Sequence, residues 1–302
     1  MMKRRLIPAL IICILAACLC TLSNPSQVRA TWVWNSDLIS KDPEQLLAFA
    51  RNNRVNLIFL QINPKLSFGE YRAFIEKASL SGIRIHALDG DPSWARKENQ
   101  HKIAELVAWV RAYNESASGL QKIKGIHLDM EPYNEPGWNT NQKQSMIDGW
   151  LSSMDYFTSL TKGLKDVEAG ADLPFWLDEV PVSPAKNATP MNSWMLERLD
   201  YVTIMAYRDQ ALSRGGIVDV VKHELETASR LNKKVIVGIE TNPVKPGYTT
   251  FYDKGMSYVK EQMQLTERTL AVYPSYRGIA IHDFEGWKQL ASASISPLGQ
   301  GQ

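Results

Sequence analysis

The 302 residues are 44% hydrophobic and 22% charged, with a formal net charge of +2, ordinary proportions for a globular body with a substantial apolar core. Without residues 1–30 the chain holds 30 basic and 32 acidic residues and no basic stripe, so the charge gives no support to nucleic-acid binding. All three cysteines, Cys13, Cys18 and Cys20, lie near the N-terminus, which excludes disulfides, a thiol nucleophile and cysteine-ligated zinc from the body.

In chain order, the first element is an export segment. Lys3, Arg4 and Arg5 precede an almost wholly apolar run from Leu6 to Leu22, and a polar stretch then ends on Val28-Arg29-Ala30, a small-x-small site for signal peptidase. Residues 1–30 are expected to be a signal peptide and residues 31–302 the mature domain, exported and either secreted or attached to the outer face of the cell membrane. Leu15-Ala16-Ala17-Cys18 resembles the lipobox of bacterial lipoproteins, so lipidation at Cys18 is the competing route. On both readings the membrane is met only through this N-terminal segment. An uncleaved anchor is a third reading, because a run of about 17 residues sits at the lower limit for a span.

After Ala30, short apolar runs alternate with longer amphipathic ones. Strands are expected at Thr31–Asn35, Val55–Ile62, Ile83–Asp89, Ile123–Glu131, Phe175–Val180, Tyr201–Tyr207, Lys234–Thr241 and Gly278–Phe284. Helices are expected at Pro43–Asn53, Phe68–Ser81, Gln100–Ser116, Gln142–Glu168, near Trp194–Leu199, Val218–Leu231 and Tyr252–Val272. Near-continuous apolar strands such as VNLIFL and KVIVGI suit parallel strands covered on both faces. Eight strand–helix units without a linker predict an α/β fold, a single-domain (β/α)8 TIM barrel. A doubly wound open sheet is disfavoured, because no glycine-rich phosphate turn follows the first strand.

Barrel enzymes carry their chemistry at the C-terminal ends of the strands. Polar and aromatic residues gather at those ends: Trp34 after strand one, Asp89 and then Trp94 after strand three, and Asp129 and Glu131 on strand four. Glu179 closes strand five, Tyr207 strand six and Glu240 strand seven; His282 and then Trp287 follow strand eight. Acids supply proton transfer and aromatic faces stack on sugar rings, so the rim suits a polysaccharide or cell-wall glycan as partner. On strand four, His127, Asp129 and Glu131 alternate with Ile126, Leu128 and Met130, which places the three polar residues on the interior face. An ionised Asp129 beside Glu131 should raise the Glu131 pKa, as a general acid requires. A purely structural buried ladder is the competing explanation.

These residues resemble those of family 18 glycoside hydrolases, the chitinase-like barrels, whose fourth strand carries Asp-x-x-Asp-x-Asp-x-Glu. Here Asp129 and Glu131 match the last two positions, while Lys124 and His127 replace the first two. Met205-Ala206-Tyr207 matches the Met-x-Tyr-Asp of strand six, with Arg208 in place of the Asp, and His282 stands where strand eight of that family ends in Trp. The resemblance implies retaining, substrate-assisted hydrolysis of an amino-sugar-containing polysaccharide. Glu131 would protonate the glycosidic oxygen, Asp129 would orient the substrate acetamide, and Tyr207 would hydrogen-bond it. Trp34, Asp89, Trp94, His127, Glu179, His282 and Trp287 would line the substrate.

A second resemblance, Glu131-Pro132 with Glu240, is to barrels that keep an acid/base on strand four and a nucleophile on strand seven, which need carboxyl groups about 5–5.5 Å apart. A third reading is a catalytically inactive barrel that binds glycan, because the replaced motif residues weaken catalysis. No cofactor is implied. No metal is expected either: His127, Asp129, Glu131, His282 and Asp283 lack a clear ligand spacing. Serine hydrolysis is disfavoured by the absence of Gly-x-Ser-x-Gly. The sequence does not specify an oligomeric state.

Overall fold

Side chains alternate across a strand, so the parity of each apolar run decides which residues enter a barrel lumen and which meet the helices. In the computed structural model, which describes residues 27–293, the strands are β1 (Val28–Val33), β2 (Leu57–Gln61), β3 (Arg84–Asp89), β4 (Gly125–Leu128), β5 (Glu168–Pro174), β6 (Tyr201–Met205), β7 (Lys234–Glu240) and β8 (Tyr276–His282). They pair in parallel, in chain order, and close into one barrel. The helices are α1 (Leu38–Lys41), α2 (Pro43–Asn52), α3 (Phe68–Leu80), α4 (Gln100–Ser116), α5 (Lys143–Thr161), α6 (Met191–Arg198), α7 (Ile217–Leu231), α8 (Met256–Leu270) and α9 (Phe284–Ala293). The expected single-domain (β/α)8 barrel is thus the fold. No helix among the described residues is long and apolar enough to cross a membrane.

Two apolar layers follow from the parity. One set, including Val28, Ala30, Trp32, Leu57, Phe59, Leu88, Tyr201, Ile236 and Ala280, forms the lumen cluster. The other, with Ile58, Leu60, Ile85, Ile126, Leu128 and Val202, belongs to the larger core shared with the helices. Met130 joins that outer core, so Asp129 and Glu131 take the opposite parity, as the alternation predicts.

The structure corrects the sequence reading at three places. The fifth strand is Glu168–Pro174, not Phe175–Val180. Its small-residue run EAGADLP carries none of the β-branched and aromatic residues that mark a strand. Pairing overrides propensity here, because Gly170, Asp172 and Pro174 register with Tyr201, Thr203 and Met205. A Cβ on Gly170 would lie 2.1 Å from the Tyr201 ring, so only glycine admits that ring. Phe175–Glu179 instead forms a 3-10 turn, and α5 ends at Thr161, well before the expected Glu168.

At the C-terminal end, Phe284 begins α9 instead of ending a strand. Phe284 and Trp287 each meet Phe49 of α2 edge-on at 5.2 Å, contacts worth about 0.5–1.5 kcal/mol each beyond area burial.

At the N-terminus, the expected export segment through residue 26, Cys18 included, lies outside the described residues. β1 begins at Val28, three residues before the expected Thr31. Val28, Arg29 and Ala30 register with Gly278, Ile279 and Ala280 of β8, and Arg29 forms an ion pair with Glu267 of α8. Cleavage after Ala30 would remove half of β1.

The packing around β5 gives a first prediction. Gly170→Ala should destabilise the barrel by about 1–3 kcal/mol, the usual range for overpacking. Gly163→Ala should stay within about 0.5 kcal/mol, because a Cβ there meets nothing within 4 Å. Urea midpoints at constant m-value read the difference, and equal midpoints would contradict the seating of Tyr201 on β5.

Candidate active site

The C-terminal ends of the strands surround a cavity of about 380 Å³, lined among others by Trp32, Asp129, Glu131, Asp172, Tyr207, Glu240 and His282. A larger groove of about 810 Å³ runs beside it between the Pro92–Glu98 segment and α5, and the two share Pro92. None of the acids lining that groove is buried, so the smaller cavity is the place for acid–base chemistry.

β4 leaves the ladder after Leu128, but the backbone N–H of Asp129 still donates to Asp89 O at 3.1 Å. This close approach needs Gly90, where a Cβ would sit 2.0 Å from Asp129 O. Glu131 then caps the 3-10 turn Pro132–Asn134. Its carboxylate accepts from the Asn134 side-chain amide and is hydrogen-bonded to the Tyr133 hydroxyl.

Three carboxyls share this corner. Burial raises the Asp129 pKa well above the usual carboxylate range, and the neighbouring charges of Asp172 and Glu131 add to it. Glu131 is raised by burial and then by Asp172, against the lowering effect of its Asn134 and Tyr133 hydrogen bonds. Protonated forms are favoured in the fold. By linkage, this contribution to stability is fully present below the ordinary carboxylate pKa and is lost as pH rises through the raised values. Asp129 Oδ1 and Asp172 Oδ1 are buried with no N–H donor, and the Asp129 and Glu131 carboxyls are hydrogen-bonded to each other.

Asp172, on β5, was not anticipated from sequence. A polar column beneath it fixes its position. Trp32 Nε1 donates to Asp172 Oδ2 at 2.9 Å, and His127 Nε2 lies 2.9 Å from the same oxygen without the alignment of a full hydrogen bond. His127 Nδ1 pairs with the Tyr201 hydroxyl at 2.9 Å, and that hydroxyl pairs with His86 Nδ1 at 2.8 Å. The hydroxyl has one proton to give, so one imidazole accepts from it and the other donates to it. Burial holds the His86 pKa well below its ordinary value, reinforced by Arg84 and Arg277. Phe59 stacks on the His127 ring at 4.0 Å.

On the opposite wall, Glu240 is almost fully buried. Its Oε1 accepts from the backbone N–H groups of Thr241 and Asn242 and from the Asn242 amide at 2.7–3.0 Å. Its Oε2 lies 2.9 Å from His282 Nδ1. Burial alone would lower the His282 pKa, but the bond to Glu240 together with the charges of Glu240, Asp283 and Asp172 outweighs it and raises the value. Trp34 Nε1 points at His282 Nε2 from 3.2 Å. The half-buried Tyr207 ring lies 6.0 Å from the His282 ring. Burial and then the Glu240 charge push its phenol well upward, so Tyr207 remains a hydrogen-bond donor.

Of the residues expected from sequence, Asp129, Glu131, Tyr207, Glu240 and His282 thus meet around one cavity, with Trp34 behind His282. Asp89 is not among the residues lining the cavity: its side chain has the outward parity of Ile85 and Ala87, accepts from the Gly90 N–H at 2.9 Å and is hydrogen-bonded to Gln61. Four other assignments as substrate-lining residues are corrected. Trp287 lies in the core beneath α9, because the strand-eight segment turns helical at Phe284. Glu179 is exposed beyond the cavity, because the fifth strand ends five residues earlier. Trp94 sits in the 3-10 turn Pro92–Ala95 and packs on the outer core. His127 is fully buried below the cavity and holds Asp172. Trp32 and Asp172 line the cavity without having been singled out. A period-two reading of Glu168, Gly170 and Asp172 between small apolar neighbours was the available signal.

No protein-family model matches the sequence, and no curated protein matches it by sequence. Solved structures match it by shape. A family 18 chitinase from Cycas revoluta in complex with (GlcNAc)3 aligns with a TM-score of 0.52 at 11% identity over 89% of this chain and all (100%) of that one. A fungal β-1,4-galactanase aligns at 0.54 and 12% over 85% and 89%. A xylanase and α-amylase inhibitor protein from Scadoxus multiflorus aligns at 0.50 and 13% over 92% and 100%. At such identities the likeness is one of fold: the chain has a chitinase-like, glycosidase-like barrel, an architecture that the inhibitor protein shares.

Proposed function

We propose that the barrel is a retaining glycoside hydrolase acting on an N-acetylated amino-sugar polysaccharide, with Glu131 as general acid. The observation that carries this reading is the Asp129 carboxyl at the cavity, hydrogen-bonded to Glu131, with no N–H donor on its Oδ1 and a raised pKa on Glu131. A buried acceptor without a donor is costly, and an acetamide N–H from the substrate is the donor that would fill it. Tyr207 would donate its O–H to the same acetamide. Glu131 would give its proton to the glycosidic oxygen as the acetamide oxygen attacks the anomeric carbon and the glycosidic bond breaks. Water, deprotonated by Glu131, would then open the bicyclic intermediate with net retention. Asp172 would supply the second buried charge that the chitinase-like motif places on strand four, where this chain has His127.

Glu240 fits the nucleophile role poorly. Both its oxygens are already engaged by N–H donors and by His282, whereas a nucleophile needs a lone pair facing the sugar. It acts here as the positioning residue of His282. An inactive glycan-binding barrel is the other reading, favoured by the presence of inhibitor proteins on the same fold.

Because Val28–Ala30 belong to the barrel, we propose that the chain is exported and anchored through a lipid on Cys18, with residues 19–27 as the tether, and not cleaved after Ala30.

Glu131→Gln should lower turnover of a chitooligosaccharide by about 10²–10⁴-fold, the range for lost acid catalysis, with glycan binding retained. Unchanged turnover would remove Glu131 from the acid role, and wild-type binding without turnover would favour the inactive barrel. Asp172→Asn tests the electrostatics. Activity should fall as pH rises through the Glu131 pKa, and removing the neighbouring charge should move that alkaline limb to lower pH. A limb that stays in place in the pH profile of kcat/KM would deny Asp172 its influence. For the anchor, labelled palmitate should enter the wild type and not Cys18→Ala, which should leave the membrane fraction. Mature protein starting at Thr31 by N-terminal sequencing would contradict the anchor.

A further inference from the structure

Away from the cavity, three ligand-type side chains converge where the β5–α6 connection meets α6 and α7. Asp178 comes from the 3-10 turn Phe175–Glu179, and His223 and Glu224 come from α7. One ligand atom from each lies within 4.8 Å of the others. His223 Nδ1 and Asp178 Oδ2 are 3.4 Å apart, the separation expected of neighbouring ligands on a tetrahedral zinc with bonds of about 2.0–2.2 Å.

The buried member of the set points to a ligand independently. Glu224 has no exposed surface. Its Oε1 is reached by the Asn192 amide at 3.3 Å, while Oε2 is buried with no partner. The same Asn192 amide lies 3.3 Å from His223 Nδ1, so one amide faces two acceptors and does not reach the orphaned oxygen. Buried acidic groups are rarely left this way unless paired or metal-bound. His223 and Asp178 are partly open to solvent, which gives an ion a way in and leaves room for a water as fourth ligand.

We propose that Asp178, His223 and Glu224 form a binding site for a divalent transition-metal ion of the zinc type. The mixed imidazole–carboxylate donor set suits that class, with Asn192 holding Glu224 from behind as an outer-shell partner. The ion would be structural. It would clamp the turn that carries Trp176, whose ring packs on Tyr133 at 5.0 Å, and Tyr133 in turn is hydrogen-bonded to Glu131.

The test uses the purified full chain, stripped with chelator and titrated with ZnCl2 by calorimetry and with CoCl2 by visible absorption. Expected are one Zn2+ per chain, a higher Tm with the ion, and intense tetrahedral-type Co2+ bands. His223→Ala and Asp178→Asn, both at solvent-facing positions, should each weaken binding by roughly tenfold or more, while Glu131→Gln should leave the affinity unchanged. Absence of stoichiometric binding in the wild type would overturn the assignment. So would undiminished affinity in the His223 and Asp178 variants, or loss of binding in Glu131→Gln, which would move the ion to the barrel mouth.

Discussion

Three carboxyls crowded into one electrostatic neighbourhood, Asp172 buried and Asp129 and Glu131 partly so, are the constraint on which the site depends. Burial raises the proton affinity of Asp129 and Glu131, and the charge of Asp172 beside them adds to it. Such a group is tolerated only where its surroundings hold each oxygen in place, because an uncompensated buried charge is strongly destabilising. The surroundings here are unequal. Glu131 has its Asn134 and Tyr133 partners and Asp172 has Trp32 and His127, but one oxygen each of Asp129 and Asp172 faces no N–H donor. That imbalance is what makes the cavity suited to a ligand carrying an N–H group.

The rest of the lumen serves that corner. In many barrels the interior layers are filled by branched apolar residues. Here the column His86, Tyr201, His127 and Asp172 runs through the lumen among Trp32, Phe59 and Leu88. Gly170 makes room for the Tyr201 ring and Gly90 lets the ends of β3 and β4 meet. The backbone economy of two glycines is therefore tied to the placement of Asp172 and Asp129. Across the cavity, Glu240 fixes His282 and Trp34 stands behind it, and Trp32 joins the two walls, donating to Asp172 and meeting the His282 ring at 5.3 Å.

Much of this was legible from the residues alone. Apolar runs such as Leu57–Gln61 and Lys234–Glu240 carry their strand character on the surface, and the alternation of His127, Asp129 and Glu131 with Ile126, Leu128 and Met130 fixes the parity of strand four. β5 was not legible. Its residues have weak strand propensity, and the register with β6 decides its course, a tertiary effect that no local window contains. Missing β5 hid Asp172 and misplaced Glu179. Trp287 was misread because aromatic residues near a strand end serve a glycan and a helix–helix core equally well by composition. The metal-type cluster was hidden because Asp178 is far in sequence from His223 and Glu224, and only the packing of α6 and α7 on the turn unites them.

Under the proposed function, Asp129 holds a substrate acetamide. That role is tested most directly by following products by proton NMR, with the purified protein and two matched β-1,4-linked oligosaccharides, one N-acetylated and one with free amines. Cleavage of the N-acetylated chain alone is expected, with the β-anomer as the first product. Equal cleavage of both chains, an inverted first product, or no cleavage of either would contradict that role.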